Sequence, residues 1–103
     1  MFKITPKPKF NATVQLSVPG SDKPAAITVE FKHLSKSALR DYFGGLDGKS
    51  DAEALGEIIT GWQGVDADFS ADALGQLLDN YPAAAGELFE AFRRELLEAR
   101  RKN

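Results

Sequence analysis

A chain of 103 residues can hold one modest core, and little is left over for a large substrate cleft beside it. Cysteine is absent, which removes disulfides, thiolate metal sites and cysteine nucleophiles and fits a reducing cytosol. The formal net charge of -2 hides an uneven distribution, since every charged side chain from Ser50 to Phe92 is acidic; phosphate is repelled there, and no nucleic-acid partner is expected.

Residues 1–9 read as an extended arm. Pro6 and Pro8 each restrict themselves and the residue before them, and Lys3, Lys7 and Lys9 have no apolar run behind them of the kind a signal peptide carries. No stretch approaches the roughly 20 apolar residues of a membrane-spanning helix, so a soluble protein without a membrane partner is expected.

Residues 10–34 read as an antiparallel β-hairpin. Phe10, Ala12, Val14, Leu16 and Val18 alternate with polar residues, Pro19 to Pro24 break the run, and Ile27, Val29 and Phe31 resume it. A lone two-stranded hairpin is marginal in water. Its apolar face must lie on the helices that follow or on another chain.

Residues 35–103 read as the helical part, of about four helices. Ser35 caps a short helix through Leu39, Tyr42 and Phe43 that Gly44 and Gly45 end. Ser50 and Glu53 form a capping box for a second helix, with Leu55, Ile58 and Ile59 as its apolar side and Gly61 as its stop. Trp62, Val65 and Phe69 follow in a segment that Gly61, Gly64, Asp66 and Asp68 make unsuitable for regular structure, so burial of those side chains must hold it. Ser70 opens a third helix with Leu74, Leu77 and Leu78 inward, and Pro82 suits the first turn of a fourth. That last helix is the longest, with Ala85, Leu88, Phe89, Phe92, Leu96 and Ala99 on one face and a Glu90–Arg94 pair outside. Leu97 falls beside the stripe; it either rests on the hairpin, the commoner outcome, or is exposed for a partner. The fold class expected is therefore α+β, a single domain in which an N-terminal hairpin lies on a small helical bundle.

Signals for chemistry fail on spacing. Gly48-Lys49-Ser50 imitates the end of a phosphate-binding loop, but Phe43 stands where its first glycine belongs. Asp66, Asp68 and Ser70 imitate a calcium loop, yet Ala71 replaces the turn glycine and Leu77 the closing glutamate. His33 is the only histidine, so one chain cannot build an imidazole metal site. No catalytic residue, cofactor or metal is expected, and an enzyme is the poorest reading.

The residues of the tryptophan segment also carry a resemblance. Gly61, Trp62, Gly64, Val65 and Asp66 form a Gly-Trp-x-Gly-Val-Asp run; Phe69 and Ser70 start a helix, Leu77 and Leu78 pair, and Tyr81 with Pro82 opens the last helix. This pattern resembles the small tail assembly chaperones of tailed bacteriophages and prophages. The resemblance implies a non-catalytic protein of the host bacterial cytoplasm that binds the tape measure protein, aids tail tube assembly and self-associates. The hairpin edge or the flank of the last helix, with Leu97, is the expected contact surface. Two other classes fit the residues: a structural phage tail or head-tail joining protein, and a small prophage-encoded regulatory adaptor.

Overall fold

The computed structural model describes residues 1–98. Strands β1 (Lys9–Leu16) and β2 (Ala25–Lys32) pair antiparallel, with Phe10 opposite Phe31, Ala12 opposite Val29 and Val14 opposite Ile27. Period-two alternation sends these side chains to one face, where all but the half-buried Phe10 are buried. Asn11, Thr13 and Gln15 occupy the other, exposed face.

The hairpin does not stand alone. A third strand, β3 (Ile59–Gln63), pairs antiparallel with β2 and gives the order β1-β2-β3. This corrects two expectations from the sequence. Helix α2 (Asp51–Gly56) ends before Ile58, and the segment from Gly61 is strand at its start. The cause is a bulge: Trp62 sits opposite Val29 and Gly61 opposite Glu30, but Ile59, not Thr60, sits opposite Phe31. One extra residue returns Ile59 to the core face that Trp62 already occupies. Thr60 Oγ1 then donates to Glu30 Oε1 at 2.7 Å on the outer face.

The helices cover the core face of the sheet. Helix α1 (Lys36–Gly44) is capped by Ser35 and α3 (Ala71–Asn80) by Ser70, each through a hydroxyl accepting a backbone N–H, at 3.1 and 3.0 Å. Before α2, Ser50 and Glu53 exchange both bonds of a capping box. Such caps contribute about 1 kcal/mol each. Helix α4 (Ala84–Leu97) is the longest and lies along β1. It has no side-chain cap: Ala83 holds that position and Pro82 precedes it, so Pro82 is outside the first turn expected for it. Its innermost residues are Ala84, Leu88, Ala91 and Phe92, while Ala85, Phe89 and Leu96 are half-buried. Ala99 lies outside the described residues. Glu90 pairs with Arg93 at 2.7 Å, one residue short of the Arg94 expected from the sequence.

Aromatic rings tie the layers together at Phe92. Its centroid lies 6.0 Å from Phe10, 5.3 Å from Phe31 and 6.4 Å from Tyr42, so one side chain of α4 touches β1, β2 and α1. Edge and offset contacts of this kind contribute about 0.5–1.5 kcal/mol each beyond the area they bury.

Candidate functional site

The tryptophan segment forms a corner between sheet and helix. Trp62, one residue before the end of β3, is half-buried, its Nε1–H donating to the Ala67 carbonyl at 2.8 Å, and Phe69 meets its ring edge-on at 5.1 Å. Gly64 turns the chain at a φ of 88°, in the left-handed region that costs other residues energy. Ser70 then starts α3. Along α3, Leu77 and Leu78 are half-buried against the core, and Tyr81 ends the helix half-buried. Asp66 and Pro82 are exposed, and Val65 is half-buried.

These residues border a shallow apolar groove of about 330 Å³. Leu16, Val18, Ala25 and Ile27 of the hairpin form one side, and Val65, Leu77 and Tyr81 the other. A second groove, of about 400 Å³, runs between β1 and α4, with Val14, Ala83, Gly86 and Ala91 as its apolar lining and Glu87, Glu90 and Arg94 at its rim. At one end Ser17 ties strand to helix: its N–H donates to both Glu87 carboxylate oxygens at 3.0 and 3.1 Å, and its hydroxyl to Oε2 at 2.6 Å. Nothing in the sequence pattern pointed to this clamp, since it joins residues seventy positions apart.

Large apolar side chains also stand in solvent. Phe2 and Ile4 of the arm are 93% and 96% exposed, and Leu97 at the end of α4 is 57% exposed, so it does not rest on the hairpin. Phe43 is exposed on α1 beside Tyr42, whose hydroxyl donates to the Ala54 carbonyl at 2.6 Å. Burial, and then the Glu57 carboxylate, push Tyr42 up to about 12. A hydrogen bond from Arg93 holds Glu90 below the usual carboxylate range.

The motifs that imitated chemistry have structural uses. Lys49 pairs with Glu57 at 2.7 Å, Gly48 turns at a φ of 81°, and the hydroxyls of Ser50 and Ser70 are occupied as caps. The His33 N–H donates to the Pro8 carbonyl at 2.9 Å, extending the hairpin ladder by one pair. Among the described residues no group of three or more His, Asp or Glu side chains is placed to hold a metal ion. No helix among them is long and apolar enough to cross a membrane.

What the arrangement offers is surface: two grooves, an exposed arm and an exposed leucine on a helix flank. Neither a search of curated proteins nor one of solved structures returns a match. A family model described as phage tail assembly chaperone matches residues 1–103, the whole length of the sequence. The chain therefore belongs to the phage tail assembly chaperone family.

Proposed function

We propose that this protein binds the tape measure protein of its phage in the host bacterial cytoplasm, shields its apolar helical stretches and helps bring tail tube subunits to it, without catalysing a reaction. Family membership over the full sequence is the observation that carries this reading. The exposed apolar side chains support it, because a protein that holds an aggregation-prone helix needs apolar surface of its own. The contact is assigned to the flank of α4 at Leu97, beside the cations Arg93 and Arg94. The signature residues from Gly61 to Pro82 shape the corner that fixes α3, and act on the partner through that shape. Several copies along one long partner require contact between copies.

Amide shift mapping tests the assignment. Adding a tape measure fragment to labelled protein should move resonances of α4 around Leu97, and Leu97→Asp should weaken binding without changing the melting temperature. Undisturbed α4 resonances in the presence of a bound fragment would remove the assignment.

A further inference from the structure

Among the described residues no strand pairs with the outer edge of β1, and the direction of that edge can be read from one hydrogen bond. The Pro8 carbonyl accepts from the His33 N–H, so Pro8 and His33 form a hydrogen-bonded pair. Such pairs alternate along an antiparallel ladder. Residues 10, 12, 14 and 16 therefore turn their backbone groups to β2, and Asn11, Thr13, Gln15 and Ser17 turn theirs outward. The Ser17 N–H takes the Glu87 carboxylate, as that parity requires. The Glu87 carboxylate closes one end of the edge at Ser17, and among the described residues Lys9, which shares the outward parity, Asn11, Thr13 and Gln15 remain as a short unpaired template beside the groove between β1 and α4.

The arm has the complementary features. Phe2 and Ile4 alternate with Lys3 and Thr5, the period of a strand, and both apolar side chains are almost wholly exposed. Its prolines fall at 6 and 8, so a strand that pairs through the amides of Lys3, Thr5 and Lys7 loses no hydrogen bond to them.

The arm cannot fill its own groove. The Pro8 bond keeps the chain straight to that residue, and a four-residue turn over Thr5–Pro8 would set Ile4 against Lys9 and Phe2 against Asn11, about 10 Å short of Val14. We propose that residues Phe2–Thr5 of a second copy add as a strand to the outer edge of β1 and seat Phe2 and Ile4 in the groove formed with α4. The contact is heterologous, so each copy offers one arm and one groove and copies join head to tail. It supplies the contact between copies that the chaperone reading calls for, yet it concerns this chain alone. Its failure would leave tape measure binding untouched.

Sedimentation of the purified full chain over a concentration series tests it. The average mass should rise with concentration. Phe2→Asp with Ile4→Asp removes the arm's apolar pair without touching the fold, and Gly86→Gln fills the groove from a position where an added Cβ meets nothing within 4 Å. Each should raise the dissociation constant by about tenfold or more. Mixing the two variants should restore association as a one-to-one dimer that grows no further, because one intact arm then meets one intact groove. Single-copy mass at every concentration would overturn the proposal and leave the edge to a strand of another protein. Association that neither variant weakens, or a mixture that stays monomeric, would overturn it too.

Discussion

Replacing Phe92 by alanine should be among the most damaging single changes to this fold. The side chain is 0% exposed and its ring meets Phe10, Phe31 and Tyr42 at centroid distances of 6.0, 5.3 and 6.4 Å. Truncation removes the apolar area and leaves a cavity that three rings on three other elements cannot collapse together to fill. Phe→Ala at such sites costs about 3–5 kcal/mol. Small domains are stable by about 5–15 kcal/mol in total, so Phe92→Ala forfeits a large part of the margin. At about 4–8 °C per kcal/mol for a domain of this size, the melting temperature should fall by at least about 12 °C. Urea unfolding followed by the fluorescence of Trp62, the only tryptophan, measures the loss directly, with a shifted midpoint and an unchanged slope. Leu97→Ala is the control: at 57% exposure it should stay within about 0.5 kcal/mol of the parent. Should the two variants unfold at similar urea concentrations, the aromatic hub is not what joins α4 to the sheet.

Other changes test separate contacts. Glu87→Ala removes the carboxylate that accepts three bonds from Ser17 and should cost about 1–2 kcal/mol by the same urea assay; no loss would mean that the clamp is idle. Two glycine substitutions should act in opposite directions in thermal melts. Gly64→Ala forces an L side chain to a φ of 88° and should destabilise by about 1–2 kcal/mol. Gly86→Ala, inside α4 with open space at its Cβ, should stabilise by about 0.5–1 kcal/mol. Matching signs would contradict the backbone argument. Tyr42 is raised from 10 to about 12 in the folded state, so between these pH values the unfolded chain releases its proton while the folded chain keeps it. Its contribution to stability is complete below pH 10 and lost as pH rises toward 12; Tyr42→Phe should decline less steeply over that window in urea titrations, and an equal slope would refute the assignment.

The parts of the fold that announced themselves did so through local chemistry. Ser35, Ser50 and Ser70 mark helix starts because the cap bond spans three residues, and the alternation of Ala12, Val14 and Leu16 marks a strand because side-chain direction is set by the pleat. Strand β3 was hidden for a physical reason. Its bulge puts Ile59 and Trp62, three residues apart, on one face, which breaks the period of two. Leu55, Ile58 and Ile59 meanwhile fall at the steps of a helix face, although the helix ends at Gly56. The burial of all three was legible, and so was the helix at Leu55, but the elements of Ile58 and Ile59 were not. The Ser17–Glu87 clamp and the free edge of β1 depend on which parity of the strand faces β2, and that is fixed only when the chain folds. The residues from Gly61 to Pro82 build the corner between β3 and α3, and their spacing marks no surface for another chain.

The most direct test of the account is the amount of tape measure protein that stays in the soluble fraction when it is produced in bacteria with and without this chain. The account predicts that co-production keeps it soluble and that it precipitates when produced alone. Equal solubility in both cases would contradict it.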